Sequence, residues 1–309
     1  MLWGLPEDEP LCSVQRELLR HDVPHLCLDQ RKFQQVQVEF DAAHGVVGRL
    51  QLGEQCIALE EIGAVFLRPH DIREVLRTGA DVPDIESERQ AVAVERRLFV
   101  WADIADALVV NRPSAMASNW SKPFQAELIR AQGFEIPATL VTTTPDAARE
   151  FIAQHRRVIY KSVSGERSIV SRMDDSELER IDEVTSCPTQ FQSHICGVDW
   201  RVHVIRDEVY ACEIRCDADD YRIGEQEGVA IEIRAAFLPE TIATRCRALA
   251  RQLNLPLAGI DLRRTVDDAW YCFEVNTAPA FSYYEKRSGQ PLTAAVARML
   301  IGAEMRRAA

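Results

Sequence analysis

One stretch, GIDLRRTVDDAWYCFEVNTAPAFSYYE (residues 259–285), constrains the fold more than any other part of the chain. It predicts two short β-strands, residues 259–265 and 269–276, joined at Asp267-Asp268. Asp-Asp is a permissible tight-turn pair, though weaker than Asn-Gly or Asp-Gly. A two-residue turn there sets Asp261 directly opposite Glu274. Side chains alternate between the two faces of a strand, so Asp261 and Arg263 share a face, as do Glu274 and Asn276. Three oxygen ligands and one fixed cation then converge on a single patch. Ile260, Leu262, Tyr271, Phe273 and Val275 fall on the opposite face and are expected in a core. Oxygen-only ligation suits Mg²⁺, whose shell is commonly completed by substrate phosphates. A nucleotide-dependent enzyme is therefore the first expectation.

Composition narrows the partners. The formal charge is −12, from 36 basic and 48 acidic residues. That argues against nucleic acid, which needs a basic footprint, and requires any ATP site to draw in a polyanion through local Lys and Arg. A chain of 309 residues has room for two or three domains. No apolar run approaches the roughly 18 to 20 residues needed to cross a bilayer. The first ten residues, MLWGLPEDEP, are acidic and carry no secretory h-region. A cytoplasmic protein with no membrane partner is expected. The nine cysteines contain no C-x-x-C pair, and Cys212 and Cys216 read as strand residues, consistent with reduced thiols.

Residues 1–110 read as a small α/β unit. It has helices over 12–21 and 86–107 and strands over 23–29, 33–40, 46–52 and 64–68. A strand at 108–111 runs into the turn Asn111-Arg112-Pro113-Ser114. Helices follow at 121–132, with Ser121 as N-cap, and at 145–154. Further strands are expected at 157–163, 169–173 and 189–195, with a helix at 174–184 between them. A hairpin over 199–216 turns near Asp207, another strand spans 229–235, and helices cover 239–253 and 292–306.

Cations suited to phosphate lie along this order. Lys122 begins a helix, and Lys161 sits on a strand beside a loop containing Gly165. Taken singly, such lysines are ordinarily solvated or snorkelling. There is no Walker-A loop and no G-x-G-x-x-G, so the two commonest phosphate cradles are ruled out. The extended segment Phe191-Gln192-Ser193-His194-Ile195 offers backbone amides to an adenine edge and leads to Asp199, placed to accept from ribose hydroxyls. An ordinary strand and turn is the competing reading. Asp199, Arg201 and His203 share one face of the next strand, and Arg222 offers a further cation from an adjoining loop.

The order Lys122, Lys161, FQSHI, Asp199-Trp200-Arg201, Asp220-Tyr221-Arg222, Asp261-Leu262-Arg263, Glu274-Val275-Asn276 resembles the ATP-grasp ligases, in particular their RimK-like branch, over about residues 108–300. The whole chain is similar to the microviridin-type peptide macrocyclases that make graspetides, through AVFLRPHD in the amino-terminal unit and the phrase GFEIPATLVT. Two departures stand out. Ser193 occupies a position that is often acidic in the family, and the loop 162–168 has a single glycine.

The resemblance implies an α/β (α+β) ATP-grasp fold, with two α+β subdomains sandwiching ATP behind a small amino-terminal α/β domain. The expected divisions are 1–110, 111–188 and 189–309. It implies that Lys122 and Lys161 contact the nucleotide phosphates, that Gln192, Ser193, His194 and Ile195 line the adenine pocket, and that Asp199 holds the ribose. Asp261, Glu274 and Asn276 would bind two Mg²⁺ ions, and Arg201, Arg222 and Arg263 would face the γ-phosphate and an acyl phosphate. The implied activity is an ATP-dependent ligase joining a carboxylate to an amine or hydroxyl, acting on a precursor peptide as a homodimer. Addition of an amino acid to a protein tail or small-molecule carboxylate is the alternative, and a non-catalytic nucleotide-binding regulator is the third reading.

Overall fold

Short apolar runs set between turn residues build the amino-terminal part of the molecule. In chain order it comprises β1 (Leu2–Gly4), α1 (Glu9–Arg20), β2 (Cys27–Asp29), β3 (Val36–Asp41), β4 (Val47–Leu52), β5 (Gln55–Ala58), β6 (Ala64–Arg68), α2 (Ile72–Thr78), α3 (Ile85–Ile104) and β7 (Leu108–Val110). The structure is a computed structural model, and it describes residues 1–43, 46–78, 84–163, 171–216 and 228–308, with side chains to 303. β2, β1, β6 and β7 form a parallel sheet in that order, and β3, β4 and β5 an antiparallel one. Parallel strands covered on both faces read as continuous apolar runs, as Val65, Phe66 and Leu67 of β6 do, all buried.

Local capping explains several departures from the sequence reading. α1 begins at Glu9 because the Asp8 carboxylate accepts from the Leu11 amide and Pro10 occupies the first turn. The strand expected at 33–40 starts only at Val36. Asp29 caps a 3₁₀ turn over Gln30–Gln35, which buries Phe33. Beyond β7, Arg112 donates to the carbonyls of Ala102, Asp103, Ala105 and Ala107, satisfying the end of α3.

The middle of the chain contains α4 (Pro113–Met116), α5 (Lys122–Ala131), β8 (Thr139–Thr142), α6 (Pro145–Gln154), β9 (Val158–Ser162), β10 (Ser171–Arg172), α7 (Asp175–Glu179) and β11 (Thr189–Ser193). Its antiparallel sheet runs β10-β9-β11-β8 and has its own small core of Ala148, Phe151, Val158, Ile181, Val184 and Phe191. β11 pairs with both β8 and β9, so the strand expected to open the last segment sits inside this sheet.

The remainder forms β12 (Val198–Ile205), β13 (Glu208–Cys216), β14 (Ile231–Ala236), α8 (Glu240–Gln252), β15 (Leu257–Arg264), β16 (Trp270–Asn276), α9 (Phe281–Ser288) and α10 (Leu292–Ala308). The five strands run antiparallel in the order β14-β13-β12-β15-β16. One face packs Trp200, Val202, Ile260, Leu262 and Val275 against α8. The other face carries Cys212, Ile214 and Ile233 into a core shared with α1, α10 and the amino-terminal residues Leu2, Phe66 and Val110. Among the described residues no helix is long and apolar enough to cross a membrane.

Candidate active site

The hairpin β15–β16 reaches the expected pairing by an unexpected route. Its loop has three residues, 266–268, closed by Thr265 N–H to Ala269 O at 3.0 Å, with Asp268 in the left-handed region at φ 63. That turn pairs Arg264 with Trp270 and Leu262 with Cys272, a register that would bring Asp261 opposite Phe273. The register shifts between Asp261 and Leu262, Phe273 bulges out, and Asp261 lies opposite Glu274. A one-residue slip exchanges the faces of a strand. Tyr271 and Phe273, expected in the core, are therefore only half-buried, while Trp270, Cys272 and Val275 are buried.

Four charged side chains form a checkerboard on the adjoining strands. In the β12–β15 register Asp199 faces Arg263 and Arg201 faces Asp261. Arg263 holds Asp199 in a fork, Nε to Oδ1 at 2.6 Å and Nη2 to Oδ2 at 2.8 Å, and its Nη1 donates to Ile195 O at 2.8 Å. Arg201 Nη1 donates to Asp261 Oδ1 at 2.5 Å. The guanidinium of Arg201 lies over the Tyr284 ring and that of Arg263 over the Phe273 ring, each 5.2 Å from the centroid. The Arg201 side chain is only 5 % exposed. Buried ion pairs add roughly nothing to stability relative to apolar side chains of similar volume, so stability alone gives no reason for this cluster. Next along β12, His203 is fully buried against Tyr284, and burial together with the Arg201 charge pushes its pKa well below the usual value. The imidazole is therefore neutral.

Asp261 lies opposite Glu274 in the β15–β16 register, and Asn276 lies opposite Gly259, one alternation step away. Asn276 Nδ2 donates to Asp261 Oδ2 at 3.1 Å, which leaves Oδ1 as the acceptor atom of its amide. Among the described residues no cluster of three His, Cys, Asp or Glu side chains suits a metal. The candidate donors are two facing carboxylates and one amide oxygen, a hard, oxygen-only set that fits Mg²⁺.

Lys122, Lys161, Gln192 and Phe273 line one cavity of about 440 Å³, together with Thr139 and Gln190. Ser121 caps α5, accepting from the Phe124 amide at 3.4 Å, and so fixes where Lys122 starts the helix. Lys161, buried on β9, lies opposite Gln190. Two groups of the expected adenine and ribose contacts have partners within the protein. The amides of Ser193 and His194 already donate to Ala138 O and Arg157 O, both at 2.9 Å, because β11 continues its pairing there. Asp199, expected at the ribose, has both oxygens engaged by Arg263. Arg222 and most of the loop 162–168 lie outside the described residues.

Sequence reasoning missed the side chains that hold β16, the edge strand of its sheet. Gln125 of α5 mimics a partner strand, donating to Val275 O at 2.9 Å and accepting from Val275 N at 3.0 Å. Asn111 bonds Leu257 on both its N–H and its carbonyl, and also the Thr277 carbonyl. Gln125 and Asn111 are both 2 % exposed. A glutamine in an amphipathic helix gives no signal of such a role, and Asn111 read only as a turn residue.

Residues 120–300 match the model of the RimK-like ATP-grasp domain. The ribosomal protein bS6–L-glutamate ligase of Escherichia coli O81 (strain ED1a) is 25% identical over 203 residues, 62% of this chain and 66% of that protein. The matched stretch thus spans just under two thirds of that relative's length. Among solved structures, macrocyclase MdnC bound with precursor peptide MdnA, from Microcystis aeruginosa MRC, superposes with a TM-score of 0.81 at 19% identity, over 97% of this chain and 98% of that one. The ATP-grasp ligase PsnB complexed with minimal precursor gives 0.79 at 25% identity over 98% of both chains. A Chryseobacterium gregarium RiPP-associated ATP-grasp ligase, in complex with ADP and a leader and core peptide, gives 0.79 at 23% identity over 97% and 96%. The ATP-grasp fold extends across nearly the whole chain.

Proposed function

The chain belongs to the RimK-like ATP-grasp domain family, and from that premise we propose that it is an ATP-dependent, ADP-forming ligase that forms side-chain ester or amide links in a ribosomal precursor peptide. One observation carries the reading: Asp261, Glu274 and Asn276 stand on one sheet face with Arg201 and Arg263, and bulged Phe273 beside them lines the cavity that holds Lys122 and Lys161. The peptide is favoured as substrate because MdnC, PsnB and the Chryseobacterium ligase are each described with a precursor or core peptide.

In this reading a peptide carboxylate oxygen attacks the γ-phosphorus of ATP as the bond to the β–γ bridging oxygen breaks. An acyl phosphate and ADP result. An amine or hydroxyl then attacks the acyl carbon, the carbon–oxygen bond to phosphate breaks, and the proton of the nucleophile is lost. The protein's work is positioning and charge neutralisation. Lys122 and Lys161 bind the phosphates, and Gln192 to Ile195 with Phe273 border the base. Arg201, Arg222 and Arg263 face the transferred phosphoryl group and the acyl phosphate. Asp199, gripped by Arg263, orients that guanidinium and accepts from the ribose with its remaining lone pairs. Asp261, Glu274 and Asn276 would hold two Mg²⁺ ions, which would supply positive charge against the phosphates. We take the chain as three units, 1–110, 111–193 and 194–309, with the second boundary drawn after β11 because that strand pairs with β8 and β9.

The test is incubation with ATP, Mg²⁺ and a Thr- and Asp/Glu-rich peptide encoded beside the gene. ADP release with a peptide lighter by one water per link is the expected outcome. ADP release that needs free glutamate and no precursor peptide would favour addition of an amino acid to a protein or small-molecule carboxylate, the class to which the L-glutamate ligation named for the bS6 relative belongs. Nucleotide binding without ADP release under either condition would overturn the ligase reading.

A further inference from the structure

We propose that Arg68, at the end of β6, is a positioning residue for the metal-bearing strand, so that the amino-terminal unit sets how Glu274 and Asn276 meet their cation. The inference rests on the ligase reading above and adds a role for the part of the chain that precedes the matched domain. Asn276 ends β16, and the chain leaves the sheet through residues 277–280 before α9 begins. Side chains from outside the sheet take three backbone sites at this exit. Gln125 holds Val275, Asn111 holds the Thr277 carbonyl at 2.5 Å, and Arg68 Nη1 holds the Pro279 carbonyl at 3.2 Å. Glu274 and Asn276 each border a held residue.

Arg68 is itself fixed. Its Nε and Nη2 fork onto the Asp8 carboxylate at 2.5 and 3.1 Å, and the two side chains are 11 % and 10 % exposed. Asp8 is in turn locked as the N-cap of α1. Pro279 lies against the reacting face, since a Cβ built on Gly259 would come within 2.7 Å of Pro279 Cβ and would overlap the Arg201 guanidinium. A shift at Pro279 therefore reaches both the last metal ligand and the Arg201–Asp261 pair. Ligand orientation by surrounding hydrogen bonds governs metal affinity by about 10- to 100-fold. An arginine acting through backbone belongs at the lower end of that range.

The experiment is calorimetric titration of the full-length protein with ADP, first in EDTA and then across a Mg²⁺ series, for the wild type, Arg68→Met, Arg68→Lys and Lys286→Met. Lys286 joins α9 to Glu9 of α1 through an exposed pair at 3.0 Å and serves as the control for another polar contact between the amino-terminal and carboxy-terminal parts of the chain. The expected result is metal-free ADP binding unchanged in every variant, with the Mg²⁺ midpoint raised about tenfold in Arg68→Met, less in Arg68→Lys, and not at all in Lys286→Met. A folded Arg68→Met with the wild-type midpoint overturns the proposal. If circular dichroism shows Arg68→Met unfolded, Arg68→Lys decides by the same criterion, since lysine keeps the charge beside Asp8 but lacks the fork that reaches both partners. A wild type whose ADP binding ignores Mg²⁺ would overturn the metal assignment first and this inference with it.

Discussion

Gly259 shows how much one missing side chain accomplishes. It lies one alternation step before Asp261 on β15, and the Arg201 guanidinium crosses the space where a Cβ would be. Gly259→Ala would displace Arg201 and press on Pro279 while leaving the β15 backbone free to pair. We predict about a 10²-fold loss of turnover, the scale expected when a positioned group moves by roughly 1 Å, with a far-ultraviolet spectrum like that of the wild type. Wild-type turnover in a folded Gly259→Ala protein would show that Arg201 does not act from this position. The carboxylates and arginines of this patch are legible in the sequence because strand alternation assigns Asp261, Arg263, Glu274 and Asn276 to faces without further information. Gly259 is silent there, since its role is a steric relation to Arg201 on a different strand.

At the scale of elements, the hairpin β15–β16 shows where pattern reading stops. Its existence and the facing of Asp261 with Glu274 follow from the sequence. The three-residue loop and the compensating bulge at Phe273 do not, because two shifts of one residue cancel at Glu274 and leave their trace only in Tyr271, Phe273, Trp270 and Cys272. The bulge brings Phe273 beneath Arg263 and into the wall of the cavity that Lys122 and Lys161 line. β16 is also an edge strand, and edges are covered or paired to prevent slippage. The Glu135 backbone pairs with Trp270 and Cys272 along this edge, and Gln125 covers Val275 with one amide. Gln125→Leu should cost about 2 to 6 kcal/mol, because it leaves a buried N–H and a buried carbonyl of Val275 without partners at about 1 to 3 kcal/mol each. Urea unfolding would register that loss, and a value within error of zero would mean that the strand rearranges to satisfy Val275 elsewhere.

At the scale of the molecule, the amino-terminal unit and the carboxy-terminal sheet share a core through α1, α9 and α10, and a polar chain runs beside that core. Gln30 donates to Glu95 at 2.9 Å and to the His70 carbonyl, while His70 stands by Asp8. Burial, reinforced by the Asp71 charge and opposed by the Gln30 hydrogen bond, raises the Glu95 pKa from 4.5 to about 7. Between these values the folded state binds more protons than the unfolded state. Stability is therefore fully present below about pH 4.5 and is lost as pH rises through about 7. Glu95→Gln keeps the acceptor for Gln30 and removes the titration. We predict a gain of about 2 kcal/mol at pH 8, after discounting for the solvent that reaches the group, and almost none at pH 4.5. Melting curves of both proteins at the two pH values check this, and equal gains at both would show that Glu95 does not titrate in this range. Helical spacing sets Glu95 on the buried face of α3 with Ala91, Val94, Leu98 and Ala102, but the partner that receives its carboxyl, Gln30, lies 65 positions away and is not legible from that pattern.

The central claim is that a carboxylate is activated by direct transfer of the γ-phosphoryl group at the Asp261–Glu274–Asn276 patch. Its most direct measurement is turnover with a precursor peptide whose side-chain carboxylates carry heavy oxygen, followed by mass analysis of the inorganic phosphate released. The account predicts that one labelled oxygen passes from peptide to phosphate for each link formed. Links formed with unlabelled phosphate would contradict it.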